Sequence, residues 1–153
     1  MRIALIHDFL VQDGGAERVL RAIQELFPQA PIFVLVYNKN KAGALFSPKD
    51  VKPSFLQRLP WGVRHYQWYL PLMPLVIERF NLSDFDLVVS SSSAFAKGVL
   101  TPPETLHLCY CHTPTRYLWT DSHSYVSESS YPFFVKMAIP FALTRLRLWD
   151  RMA

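Results

Sequence analysis

Arg2-Ile3-Ala4-Leu5-Ile6-His7, then Ala16, Val19, Leu20, Ile23 and Phe27 at helical spacing, then Ile32-Phe33-Val34-Leu35-Val36-Tyr37: these segments decide the fold class. The first run is aliphatic without alternation, as expected of a parallel strand buried on both faces. Residues 8–15 read as a loop. From Ala16 the apolar spacing predicts a helix, with Glu17 and Arg21 as an i,i+4 pair and Pro28 as its stop. Strand, helix and strand in such close succession make a right-handed βαβ unit the expected topology, and with it an α/β fold built on a parallel sheet.

Outward from that unit, residues 43–60 carry loop signals, and residues 63–80 are aromatic, interrupted by prolines and expected to be helical in two broken pieces. Residues 86–90 read as another buried strand with the serine run Ser90-Ser91-Ser92-Ser93 at its carboxyl end. Leu106 to Cys111 reads as a fourth strand, ending at His112-Thr113-Pro114. Residues 131–153 have helical composition despite Pro140. The 153 residues leave room for one domain, taken as residues 1–153.

Half of the residues are apolar and 18% are charged, a composition that buries a core and excludes a disordered chain. The net charge of +4 is concentrated in two places. Lys52, Arg58, Arg64 and Arg79 face Glu78 alone in residues 51–80, and Lys136, Arg145, Arg147 and Arg151 face Asp150 alone in residues 136–153. Both segments are also the richest in large apolar side chains. That pairing suits an anionic membrane surface or a lipid-linked substrate, and no lysine-rich stripe or nucleic-acid motif accompanies it, so nucleic acid is not an expected partner. Trp61, Tyr66, Trp68, Tyr69, Leu70, Leu72 and Met73 lie among these cations and read either as core or the cover of a missing half, or as a peripheral membrane contact. The apolar runs at 68–77 and 133–143 are about half the ~20 residues of a membrane span. The opening apolar run is too short for a signal peptide, so the cytoplasm is the expected compartment, with peripheral attachment to the inner face of the plasma membrane. Cys109 and Cys111, one residue apart, read as reduced core thiols.

Ligands of open α/β sheets bind beyond the carboxyl ends of the strands, and three such ends carry chemistry. Gly14 and Gly15 open the first helix, where close backbone approach and free N–H groups favour a phosphate; the plain alternative is a tight turn capped by Asp13. The sequence there is neither a G-x-G-x-x-G fingerprint nor a P-loop. The serine run, with Ser92 and Lys97, offers hydroxyls and a cation to a sugar or phosphate, or is a solvated loop; the elbow a nucleophilic serine requires is absent. At the third end His112 stands near Arg116 as a pocket residue. Zinc is not expected, because ligands are too few and alternation puts His112 on the opposite face from the cysteines.

Together, Gly14-Gly15-Ala16-Glu17-Arg18-Val19 after Arg2-Ile3-Ala4-Leu5-Ile6-His7-Asp8, the segment Phe85-Asp86-Leu87-Val88-Val89-Ser90 with its serines through Gly98, and Tyr110-Cys111-His112-Thr113-Pro114 resemble the N-terminal half of bacterial glycosyltransferases of family 4. The resemblance implies a GT-B architecture, two Rossmann-like domains facing across a cleft, with the acceptor on the N-terminal domain and the nucleotide-sugar donor on the C-terminal one. It places Gly14 and Gly15 near the donor diphosphate and His112, the catalytic candidate, near the transferred sugar. It also implies retention of anomeric configuration with no metal and no further cofactor. The expected partners are a nucleotide sugar and a glycan or lipid-linked acceptor of surface polysaccharide or glycolipid synthesis. Ser92, Lys97 and Arg116 are added as substrate-binding candidates by position. The acidic and basic residues that grip the nucleotide in that family have no counterpart in the chain, which is expected to be incomplete at Ala153 and inactive alone. The alternative is a non-catalytic Rossmann-like module that binds a carbohydrate, a lipid or a protein.

Overall fold

The computed structural model describes residues 1–43, 45–113, 115–119 and 133–153. Five parallel strands form one sheet: β1 (Ile3–Leu10), β2 (Ile32–Tyr37), β3 (Val51–Pro53), β4 (Leu87–Ser92) and β5 (Leu106–Cys111), in spatial order β3-β2-β1-β4-β5. Helices α1 (Gly15–Leu26), α2 (Lys39–Ala42), α3 (Met73–Glu78), α4 (Arg116–Trp119) and α5 (Phe133–Met152) flank it. The fold is therefore α/β and Rossmann-like. No helix among the described residues is long and apolar enough to cross a membrane.

Alternation along the strands divides the interior into two cores. On one face Ala4, Ile6, Phe33, Leu35 and Val88 pack with Met73, Val76, Ile77 and Leu146 from α3 and α5. On the other, Leu5, Ile32, Val34 and Val51 pack with Leu20 of α1 and with Ala42 and Phe46. β1 and β2 are buried at nearly every position, which is why their sequences show no polar alternation.

Four local expectations are corrected. β1 runs on through Asp8 to Leu10, so Asp8 belongs to a strand and not to a loop. A short edge strand, β3, interrupts the expected loop at 43–60 and ends on Pro53, whose missing N–H is tolerated only at such an edge; β5 is consequently the fifth strand. Glu17 is buried and binds the Gly14 N–H at 3.0 Å, so Arg21 pairs with Glu25 instead, at 3.4 Å. Cys109 and Cys111 are free thiols, as expected, but exposed and not in the core, because β5 is the outer strand. The aromatic segment does form two pieces, a 3-10 helix (Tyr66–Leu72) running into α3. Its side chains divide: Met73 is fully buried, Tyr66, Tyr69 and Leu70 pack partly buried against the core, and Trp61, Trp68 and Leu72 are exposed.

The last helix is fastened by Asp150. Its carboxylate accepts the Thr115 hydroxyl at 2.8 Å and the Trp119 indole N–H at 2.8 Å, and pairs with the Lys97 ammonium at 3.1 Å. Burial alone would raise the Asp150 pKa, but these three hydrogen bonds and the charge of Lys97 outweigh it and hold the carboxyl below its ordinary value. A depressed carboxyl contributes stability above its unfolded value, near 4, and loses it as pH falls through the folded value. Asp150→Asn should therefore cost about 2 kcal/mol at neutral pH, read by urea denaturation, with the gap to the wild type closing below about pH 4.

Candidate functional site

The chain crosses the sheet from β1 to β2 on one side and reaches β4 on the other, so β1 and β4 meet at the point where strand order reverses. Their carboxyl ends are held together by one side chain. Asp8 is 3% exposed, and its Oδ2 accepts the N–H groups of Ser93 and Ala94 at 2.6 and 2.8 Å, while Oδ1 accepts those of Phe95 and Ala96 at 2.7 and 2.6 Å. Four successive amides thus close on one carboxylate, and the segment after β4 turns sharply over the end of β1.

His7 and His112 stand at this end of the sheet, whereas His107 lies near the start of β5, in register with Val88. His7 donates from Nδ1 to the Ser91 carbonyl at 2.8 Å, which fixes its proton there and leaves Nε2 for another partner. The Ser91 hydroxyl is 2.8 Å from His112 Nε2, and the Ser90 hydroxyl 2.8 Å from His107 Nε2. Burial lowers the pKa of His107. For His112, burial and then the neighbouring His7 lower it, outweighing Asp8 and Glu17, which raise it. His112 is thus an uncharged imidazole near neutral pH, able to donate or accept with a neutral hydroxyl.

Between the end of β1 and the start of α1 lies a cavity of about 290 Å³, lined among others by His7, Gln12, Glu17, Tyr66, Ser93 and Thr113. Carboxylates, an amide, an imidazole and hydroxyls are the groups that recognise a polyol; no Lys or Arg lines it among the described residues. Gly14 adjoins the lining through Glu17: a β-carbon there would lie 2.8 Å from Glu17 Oε2, which the flexible carboxylate would shift to relieve. Gly15 faces open space.

The residues singled out in the sequence are distributed unequally. Gly14, Gly15 and His112 all stand at the carboxyl end of the sheet, His112 half-buried behind Ser91. Ser92 is fully buried and its hydroxyl accepts the Lys97 N–H at 3.1 Å. Lys97 turns away, its ammonium donating to the Asp150 carbonyl at 2.9 Å as well as pairing with that carboxylate. Pro114 and the side chain of Arg116 lie outside the described residues. The sequence reading passed over His7, Asp8, Glu17 and Ser91. The available signal was two ionisable residues, His7 and Asp8, interrupting an otherwise wholly apolar strand.

Compared with known proteins, the chain matches no family model, no curated protein and no solved structure.

Two outcomes follow from this geometry. Asp8→Ala strands buried amides and should destabilise the fold by about 4 kcal/mol or more, enough to abolish the cooperative transition of a marginal domain in thermal or urea unfolding. For the histidines, the unfolded chain takes up protons as pH falls through about 6.5 while folded His107 and His112 resist, so stability is full at about pH 8 and declines towards pH 5.5. Urea midpoints at the two pH values should show that decline, and His107→Gln should flatten it; a midpoint that rises on acidification would contradict the assignment.

Proposed function

We propose that this chain forms the acceptor-side half of a retaining glycosyltransferase, working with a second Rossmann-like unit that holds a nucleotide sugar. The observation that carries the reading is the cation-free, hydroxyl-recognising cavity at the β1/β4 reversal, beside a histidine kept uncharged. In this reading Glu17, Gln12, Ser93 and Thr113 bind sugar hydroxyls, and neutral His112 hydrogen-bonds a hydroxyl of the transferred sugar. The first free N–H groups of α1, after Gly14 and Gly15, approach the donor diphosphate. The bond between the anomeric carbon and the phosphate oxygen breaks and the acceptor oxygen bonds to the same face. The acceptor proton passes to the leaving phosphate. Chemistry of this kind is assigned to the protein groups and the leaving diphosphate, without a metal.

The chain alone should bind neutral glycans weakly and give no transfer from a panel of nucleotide sugars. Titration of such a glycan panel, followed by NMR, should shift the His112 ring and the Gly14 and Gly15 amides, and His112→Ala should weaken binding about tenfold, the worth of one hydrogen bond. A folded protein in which no glycan moves those resonances would sink the reading, and transfer by the isolated chain would sink the division of labour. Glycan binding that His112→Ala leaves untouched would favour a non-catalytic carbohydrate-binding module.

A further inference from the structure

The segment between β3 and β4 presents a second chemistry, aromatic and basic. Phe55, Trp61, Trp68, Leu72 and Leu75 are all large, apolar and exposed, Trp61 at 63%. Trp68 and Leu72 on the 3-10 helix, Leu75 on α3 and Arg79 just past its end are all exposed. Trp61 lies edge-on to Trp68 at 5.8 Å, and His65 stacks on Trp68 at 4.7 Å, so the two indoles form one projecting cluster. The backbone is bent to present it. Trp61 has φ 55°, in the left-handed region a bulky side chain rarely enters, and Gly62 follows where a β-carbon would collide with the Leu56 carbonyl. Strain of this kind persists only where surroundings impose it, and it occurs at functional positions.

Interleaved in sequence with these rings are Lys52, Arg58, Arg64 and Arg79, and none of the four makes an ion pair among the described residues. The single acid of the segment, Glu78, is taken by the Trp149 indole N–H at 2.6 Å. Two of the cations, Lys52 and Arg79, line one cleft of about 240 Å³ with Phe55 and Phe80, and the Lys52 ammonium stands 5.1 Å above the Phe33 ring on its floor. The Ser54 hydroxyl in the same wall is spent on the Leu35 carbonyl, which leaves the two cations as the cleft's polar recognition groups.

We propose that this segment docks on an anionic lipid bilayer, with the Trp61–Trp68 cluster and the exposed Leu72 and Leu75 at the headgroup boundary and a lipid phosphate in the Lys52–Arg79 cleft. Charge complementarity selects that occupant. Uncompensated cations spaced between exposed rings oppose a second copy of the same basic face, while an anionic surface neutralises every one of them. Indoles are the rings suited to such a boundary, apolar over most of their area and polar at one N–H.

The test is sedimentation of the protein with phosphatidylcholine vesicles, with and without phosphatidylglycerol, alongside tryptophan fluorescence. Sedimentation with the anionic vesicles at low salt, a blue shift, release at high salt and no binding to phosphatidylcholine alone are expected. Each basic residue near such a surface is worth about fivefold in affinity, so Lys52→Glu with Arg79→Glu should weaken binding by roughly 25-fold or more. Trp61→Ser with Trp68→Ser, both exposed and therefore compatible with folding, should remove the blue shift. Circular dichroism certifies each variant. Failure of the folded wild type to sediment overturns the proposal. So does self-association that the tryptophan variant abolishes, or binding of inorganic phosphate in the cleft without vesicle binding. Vesicle binding is read independently of glycan binding, so either can fail alone.

Discussion

One carboxylate organises the carboxyl end of this sheet. Asp8 takes four consecutive backbone N–H groups, at residues 93 to 96, and thereby replaces the pairing those amides lose when the chain leaves β4. Left without it, the buried amides would be unsatisfied at a cost of about 1–3 kcal/mol each, against a total stability for a domain of about 5–15 kcal/mol. The bend that Asp8 enforces sets Ser93 over the cavity, while the register of β1 with β4 sets the Ser91 carbonyl and hydroxyl between His7 and His112. Site geometry is therefore inherited from a folding requirement: a buried residue of β1 also shapes what lies beyond β4.

The same segment is gripped from its far side. Lys97, one residue past the four amides, is bound to both the carboxylate and the carbonyl of Asp150 in α5, and a β-carbon on Gly98 would strike the Trp149 ring. Trp149 in turn binds Glu78 of α3, and Asp150 collects Thr115 and Trp119. The stretch after β4 is thus held between β1 and α5. Rigid support of this kind is what a hydroxyl-recognising site requires, because positioning errors of a fraction of an ångström degrade hydrogen bonds.

The parallel sheet was legible because β1, β2 and β4 are largely buried and each opens on an apolar run without polar alternation. β3 was not, since three residues ending in proline carry neither periodicity nor length. For the site, Gly14, Gly15 and His112 could be named from their places at strand ends, yet their partners could not. Asp8 looks in sequence like the first residue of a loop, and only the long-range bonds to residues 93–96 reveal its task. Glu17 looks like half of a surface ion pair with Arg21; burial against Gly14 makes it a lining residue instead. Lys97 failed in the opposite sense. Proximity in sequence to a serine run suggested a ligand, whereas its nearest carboxylate comes from residue 150, a separation no local pattern encodes.

The position of Glu17 also divides the work that the proposed reaction demands. A helix N-terminus attracts anions through its free N–H groups and its dipole, at about 0.3–1 kcal/mol near a surface. In α1 part of that attraction is already met by a carboxylate of the chain itself, 3.0 Å from the Gly14 nitrogen. A diphosphate approaching Gly15 meets the remaining N–H groups and, close by, a like charge. With no Lys or Arg lining the cavity among the described residues, this end of the sheet is a poor place to hold two phosphates unaided and a good place to read uncharged hydroxyls. If the chain serves in glycosyl transfer, the cations that carry the leaving diphosphate belong on the opposing unit, and what this half supplies is the orientation of the sugar through neutral His112.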